Sequence, residues 1–325
     1  MSLVKLKNLR IYFEERKGLF GFLQKRREIV HAVDGISFNI NKGEILGLVG
    51  ESGCGKSTTG MGILRLVEPT DGEVFFDGKN VLKMSKKEMY KFRRKTQIVF
   101  QDAVSSLNPR KTVREILSEP LRVHRIEKNE DKIEHKLLQT LELIGLKKED
   151  LDKFPSEFSG GQIRRVGISR ALILQPQFLV ADEPTSGLDV SVAAGILNLM
   201  RDLRGQFNLT YLWVSHNLHV VRYISDRIAV MYLGKLVEIA ETTKLISNPL
   251  HPYARALFSA IPTVDPEERT SRIILKGEIP SALNPPSGCR FRTRCDYKSP
   301  RCAEEEPALI EVENAHFVSC HLYTR

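Results

Sequence analysis

No stretch of this 325-residue chain is apolar for long enough to cross a bilayer. The longest apolar runs, such as residues 171–174 and 178–181, fall far short of the roughly 20 residues a membrane helix needs. The N-terminal Met-Ser-Leu-Val-Lys lacks the apolar run of a signal peptide, so secretion is not expected and the chain reads as cytoplasmic. Low-complexity tracts and tandem repeats are absent too, which excludes solenoids and fibrous arrays. No signature of RNA or DNA binding accompanies the formal charge of +9, so nucleic acid is not an expected partner.

That charge is unevenly placed. Residues 1–30 hold eight Lys/Arg against three Glu, and residues 83–95 hold seven against one. Such segments read either as solvated basic faces or as surfaces drawn to an anionic inner leaflet, where each basic residue gains roughly 1 kcal/mol. With 42% apolar residues the composition is globular, and the length allows a core domain plus an appended piece.

Residues 4–13 partly alternate apolar and polar, as an edge strand would, and a basic stretch with Gly18 and Gly21 reads as a loop. Residues 36–40 alternate again, and residues 45–49 are apolar throughout, as in a buried parallel strand. That strand runs into a glycine-rich loop and a helix from Lys56 to about Val67. Residues 86–150 are charged, Leu-containing and largely helical, as in 137–146. From about Ser159 the pattern is helix (159–174), strand (178–181), helix (about 191–206), strand (209–214). Alternating strands and helices predict an α/β fold with a parallel sheet covered on both faces. From about residue 246 prolines multiply (Pro249, Pro252, Pro262, Pro266, Pro280, Pro285, Pro286, Pro300, Pro307), marking a loop-rich appended module.

Gly50-Glu51-Ser52-Gly53-Cys54-Gly55-Lys56-Ser57 satisfies G-x-x-x-x-G-K-[ST] between a strand and a helix, where a phosphate-binding loop must sit. Its glycines let backbone N–H groups converge on phosphate oxygens at a helix N-terminus. Lys56 adds charge over the β/γ-phosphates, and Ser57 can ligate Mg²⁺. Gly50, Ser52, Gly53, Cys54, Gly55, Lys56, Ser57 and Thr58 are therefore the candidate nucleotide contacts, with Cys54 as an unreactive wall residue. Residues 178–181 lead an apolar strand into Asp182 and Glu183. This delivers Asp182 toward the Mg²⁺ shell through water and Glu183 toward the water that attacks the γ-phosphate.

Phe158-Ser159-Gly160-Gly161-Gln162, about 100 residues after that loop, resembles the signature motif of ABC ATPases. The resemblance, over about residues 4–245, implies a P-loop NTPase (RecA-like) core with an antiparallel β subdomain and an inserted α-helical subdomain. It further implies a head-to-tail dimer in which Ser159, Gly160, Gly161 and Gln162 cap the ATP of the partner. Gln101 is similar to the Q-loop glutamine that meets Mg²⁺ and the attacking water, and Ser186-Gly187-Leu188-Asp189 to the D-loop. His216 matches the switch histidine on the γ-phosphate. Phe13, with Tyr12 as the alternative, takes the place of the aromatic that stacks on adenine. A stack reads a π-face without base-specific hydrogen bonds, so discrimination between ATP and GTP is expected to be weak.

His251-Pro252-Tyr253-Ala254-Arg255-Ala256-Leu257, Gly277-Glu278-Ile279-Pro280-Ser281 and Pro285-Pro286-Ser287-Gly288-Cys289-Arg290-Phe291 resemble the C-terminal region of oligopeptide/dipeptide importer ATPases. Those importers usually pair two ATPases, D and F. The signature motif, residues 101–110 and the basic insertion after Phe13 favour F. Gln162-Ile163-Arg164-Arg165 and Val192-Ala193-Ala194 depart from the family pattern, at positions expected to touch no catalytic residue. The resemblance implies a D-type ATPase as heterodimer partner and two membrane-spanning permease subunits, whose coupling helix is received around residues 101–110. An extracytoplasmic binding protein takes part indirectly, and the chain itself works at the cytoplasmic face of the membrane. Expected boundaries are 1–85 and 165–245 for the ATP-binding core, 86–164 for the helical subdomain, and 246–325 for the C-terminal module.

Four of five cysteines, Cys289, Cys295, Cys302 and Cys320, fall in the last 37 residues as C-x5-C-x6-C-x17-C. In a reducing compartment clustered thiols suggest metal rather than disulfides, although zinc knuckles and ferredoxin spacings do not match. The spacing is similar to the iron–sulfur module of some peptide-importer ATPases, which implies a [4Fe–4S] cluster; zinc and free thiols stay open. Five basic residues in 288–302, against one Asp, would partly offset four thiolates. The resemblance implies import of di- or oligopeptides, with oligosaccharides or nickel as alternative cargo. A soluble ABC ATPase of DNA repair would need a long coiled coil after the loop, and one of translation two ATPase units; neither is present. A redox-sensing role would be superimposed on ATP hydrolysis, since the catalytic motifs are intact.

Overall fold

The structure, a computed structural model, describes residues 1–15, 28–260 and 273–324. The body of the basic insertion after Phe13, with Gly18 and Gly21, lies outside them, as do Pro262 and Pro266. Among the described residues no helix is long and apolar enough to cross a membrane. The chain divides into two compact units. One holds Asn41–Glu44 and Lys83–Trp213, the other Ser2–Ile40, Ile45–Leu82 and Val214–Arg325.

In the first unit, strands Thr96–Val99, Phe178–Asp182 and Thr210–Val214 lie side by side, with Phe178–Asp182 in the middle. Phe178–Asp182 and Thr210–Val214 are buried at every residue, which is why their sequences run apolar without alternation. Thr96–Val99 runs parallel to Phe178–Asp182 with Thr96 opposite Phe178 and Val99 opposite Ala181. This register aligns the C-terminal ends, so the residues that follow each strand emerge together.

The helical part of this unit starts with well-written caps. Thr112 and Glu115 form a reciprocal capping box at helix Val113–Val123, and Asn129 caps Glu130–Leu143. Their apolar faces (Val113, Ile116, Leu117 and Leu121; Ile133, Leu137 and Leu141) meet Ile163 and Val166 of helix Gly160–Leu172 in one core. At roughly 1.5–3 kcal/mol per fully buried side chain, that core rather than helix propensity holds the layer together.

In the second unit, Ser2–Glu15 lies between Glu28–Asn41 and Asp71–Phe76, and Lys79–Asn80 forms the far edge. Ser2–Glu15 is therefore an interior strand and not the edge its alternation suggested. The alternation records one buried and one exposed face, which an antiparallel sheet allows in its interior as well. Its pairing with Asp71–Phe76 is antiparallel, as is that of Asp71–Phe76 with Lys79–Asn80.

A second run of strands in this unit is ordered Ile310–Glu313, His316–Val318, Lys235–Glu241, Arg227–Tyr232, Ile45–Val49. Ile45–Val49, buried throughout, runs parallel to Arg227–Tyr232. The proline-rich C-terminal region is thus built onto this sheet, because His316–Val318 hydrogen-bonds Lys235–Glu241 in antiparallel register. The helix after the glycine loop spans Lys56–Ile63 and so ends a turn earlier than the sequence suggested.

Candidate nucleotide site

The loop after Ile45–Val49 has a backbone only glycine accepts at two places. Gly50 lies at φ 152° and Gly55 at φ 103°. A Cβ at Gly50 would stand 2.1 Å from the Met231 carbonyl oxygen, and one at Gly55 2.0 Å from that of Ala32. Gly55 precedes helix Lys56–Ile63 and offers no side-chain cap, so the helix opens with its N-terminal end turned to the loop. Such an end suits an anion. Lys56, only 6% exposed, sends its ammonium back over the loop, donating to the carbonyls of Gly50 at 2.8 Å and Glu51 at 3.0 Å. Ser52 and Gly53 are exposed at the loop's crest. Cys54 is buried, and burial raises its thiol pKa.

Two further candidates belong to the same unit. Tyr12 is committed elsewhere: its hydroxyl donates to Asp34 at 2.5 Å and its ring lies 4.4 Å from that of His31. Burial, and then the bond to Asp34, push Tyr12 up to about 12. Phe13, next along the strand, is 40% exposed. His216 is exposed and follows Ser215, whose amide donates to the Leu48 carbonyl at 3.2 Å. This fixes the start of the His216 loop beside the strand that delivers the glycine loop.

The other unit gathers the remaining motifs. The parallel register brings Gln101 to Glu183, and the Gln101 amide nitrogen donates to Glu183 Oε2 at 2.9 Å. One N–H of the amide is so used, and the side-chain carbonyl oxygen is an acceptor. Asp182 closes its strand in a buried position. Glu183 sits at φ 46°, a left-handed conformation that costs a non-glycine residue on the order of 1–3 kcal/mol and recurs at functional sites. Asp189 caps helix Val190–Phe207 by accepting from the Val192 amide at 2.9 Å, and that bond lowers its carboxyl pKa.

Ser159 and Gln162 form a reciprocal capping box at the start of helix Gly160–Leu172. Ser159, Gly160 and Gln162 are exposed. A Cβ at Gly161 would stand 2.5 Å from Val192 Cγ1, so that side chain would have to shift to admit one. The sequence departures at Arg164 and Val192 are therefore not remote from the site. The Arg164 guanidinium donates to the carbonyls of Phe100, Gln101 and Ser186, tying the signature helix to the Q-loop and the D-loop. Its lone sequence signal was a basic residue on the buried face of that helix, unreadable without the loop backbone it serves.

Cys289, Cys295, Cys302 and Cys320 line one cavity of about 160 Å³, together with His251, Phe291 and His321. Burial, followed by repulsion from the neighbouring thiols, pushes Cys289 up to about 11; burial also raises Cys295 and Cys320. Thiolates there need a compensating cation. Among the described residues, no three His, Cys, Asp or Glu side chains converge closely enough to hold a single metal ion.

A family described as ABC transporter matches residues 33–186. A second, the oligopeptide/dipeptide transporter C-terminal region, matches residues 237–302. The chain is 48% identical to the putative oligopeptide transport ATP-binding protein YkfD of Bacillus subtilis, covering 99% of this chain and 96% of that protein. It is 48% identical to the oligopeptide transport ATP-binding protein AppF of the same organism, over 99% of this chain and 98% of the relative. It is 44% identical to OppF of Salmonella typhimurium, over 98% and 95%. Among solved structures it is similar to the ATP-binding cassette MJ0796, in a dimeric post-hydrolysis state bound to ADP and Pi. That similarity has a TM-score of 0.65 and 30% identity, over 74% of this chain and 98% of that one.

Proposed function

Because the chain belongs to the ATP-binding subunits of oligopeptide/dipeptide ABC importers, we propose that it is the F-type member of a pair of unlike ATPases. ATP hydrolysis and service to a peptide importer follow from the family; the subunit type and the residue roles are our reading. The observation that carries the subunit type is the Phe158–Gln162 signature, and the names AppF and OppF among the relatives support it. The partner is then a D-type ATPase, joined to two permease subunits with coupling around residues 101–110. In this reading residues 1–85 and 165–245 act as the ATP-binding core, 86–164 as the helical arm and 246–325 as the C-terminal module.

The chemistry divides as follows. Phe13 stacks on the base, and the amides of the 50–58 loop with Lys56 hold the β- and γ-phosphates. Mg²⁺ supplies neutralisation of phosphate charge when bound, and Ser57, Gln101 and, through water, Asp182 would hold it. Glu183 takes the proton of the attacking water, Gln101 orients that carboxylate, and His216 hydrogen-bonds the γ-phosphate. Ser159, Gly160, Gly161 and Gln162 cap the nucleotide of the partner, so closure of the dimer assembles the site.

The dimer model has a direct test. The isolated chain should bind ATP yet hydrolyse it poorly at low concentration, and adding the D-type partner and permeases should raise the rate. A fully active, concentration-independent monomer contradicts it.

We further propose that Cys289, Cys295, Cys302 and Cys320, which line one cavity, hold a [4Fe–4S] cluster, which when bound would staple the proline-rich region. Anaerobically purified protein should then be brown and contain iron and sulfide in about equal amounts. Cys289→Ser or Cys320→Ser should lose the colour. Stoichiometric zinc without sulfide would replace the cluster by zinc.

A further inference from the structure

We propose that Tyr253 and Arg294, both in the C-terminal region, are positioning residues for nucleotide binding that clamp Glu51, the second residue of the phosphate loop. Glu51 is held at three atoms. Its amide donates to the Tyr253 hydroxyl oxygen at 2.9 Å, its carboxylate accepts from Arg294 Nη1 at 2.8 Å, and its carbonyl accepts from Lys56 Nζ at 3.0 Å. A loop residue that directly follows one glycine, Gly50, with another two positions on at Gly53, would otherwise have wide conformational freedom.

Both clamping groups are themselves immobilised. The Arg294 side chain is 7% exposed, and its guanidinium lies 6.0 Å from the centre of the Tyr232 ring. The buried Tyr253 ring packs against Tyr232 at 4.8 Å and Phe291 at 5.5 Å. Tyr253 enters its helix under fixed geometry: the His251 Nδ1 accepts from the Tyr253 amide, and buried Glu238 accepts from the amides of Leu250 and His251. The His-Pro-Tyr segment is thus a mount whose end product is one hydroxyl oxygen on the phosphate loop.

The physical consequence is preorganisation. A cradle of converging N–H groups loses less entropy on taking up phosphate if its backbone is already fixed. Neither clamping group bonds the Lys56 ammonium or the helix that follows it, so the clamp should act on binding and leave the chemical step alone.

This inference rests on residues 50–58 being the phosphate cradle, and the experiment separates the two. Tyr253→Phe removes one oxygen and keeps the ring; Arg294→Ala removes the ion pair, and Arg294→Lys keeps charge without the fork. Affinity is read on the full chain with a fluorescent ribose-labelled ATP, and kcat and KM in the assembled transporter. Tyr253→Phe and Arg294→Ala should each weaken ATP binding about tenfold, the scale of one hydrogen bond to a charged or otherwise unsatisfied group. KM should rise while kcat stays within about twofold, and Arg294→Lys should recover part of the loss. Should Arg294→Ala fail to fold, Glu51→Gln weakens the same ion pair from the other side and must show the same KM-only loss. Folded variants with unchanged affinity, beside a Lys56→Ala protein that has lost binding, overturn the clamp alone. Wild-type affinity in Lys56→Ala as well overturns the cradle and the clamp with it. A loss confined to kcat also overturns it.

Discussion

The chain contains two glycine-rich segments that open a helix, and they are built in opposite ways. At Gly50–Ser57 two glycines are pressed against the Met231 and Ala32 carbonyls, Lys56 is buried, and the helix starts with no side-chain cap. At Ser159–Gln162 the helix end is exposed and caps itself, Ser159 and Gln162 satisfying each other's amides. The first is held in shape by the chain packed around it. The second is a self-capped helix end whose residues Ser159, Gly160 and Gln162 are exposed. A site completed in trans predicts that asymmetry, because the half that binds first must be preformed and the half that arrives later must survive alone in water.

The largest effect that tests this division comes from neither segment. Glu183→Gln keeps the shape of the side chain and removes its basicity, so binding at both segments should persist while turnover falls roughly 10²–10⁴-fold. Steady-state ATPase in the assembled transporter, beside equilibrium ATP binding, checks it. Near-normal turnover would remove Glu183 from its role and leave Gln101's bond to it unexplained.

A pair of glycine substitutions bears on the comparison itself. A Cβ at Gly55 would meet backbone at 2.0 Å with φ 103°, whereas one at Gly160 meets nothing nearer than Leu188 Cδ2 at 3.8 Å. Gly55→Ala should therefore cost about 3 kcal/mol through strain and displacement of the loop, with loss of ATP binding by the isolated chain. Gly160→Ala should leave folding and cis binding intact. Chemical denaturation and nucleotide titration of the two proteins would break the comparison if they behaved alike.

What the sequence made legible follows the same division. The phosphate loop, the acidic pair at 182–183 and the buried strands could be read because each is local: a few adjacent residues carry both the geometry and the chemistry. The signature segment was legible only through family resemblance, since Ser-Gly-Gly alone is also an ordinary helix cap, and its capping box is what the structure contains. Contacts between residues far apart in sequence were not legible. Arg164 on the Q-loop carbonyls, Arg294 on Glu51 and Glu238 beneath the His-Pro-Tyr segment depend on tertiary placement that no short-range pattern encodes. The interior position of Ser2–Glu15 was missed for the same reason, because alternation reports faces and not neighbours.

The smallest expected effect is the one that separates the two uses of Ser159. Its hydroxyl accepts from the Gln162 amide at 3.4 Å, a long bond that a competing partner could exchange at little cost. Ser159→Ala removes the cap and should destabilise the chain by about 1 kcal/mol. Ser159→Asp restores a good cap and favours the helix N-terminus electrostatically, so its stability should return to that of the native chain. If the hydroxyl serves the helix alone, ATPase activity of the assembled transporter should follow stability, falling in the alanine variant and recovering in the aspartate one. If the segment faces the phosphates of a nucleotide held by the partner, the aspartate places a negative charge against them. Activity should then fall further in Ser159→Asp than in Ser159→Ala, while ATP binding by the isolated chain is unchanged in both. Thermal unfolding, isolated-chain binding and assembled ATPase measured on these two variants distinguish a cap from a trans-acting contact.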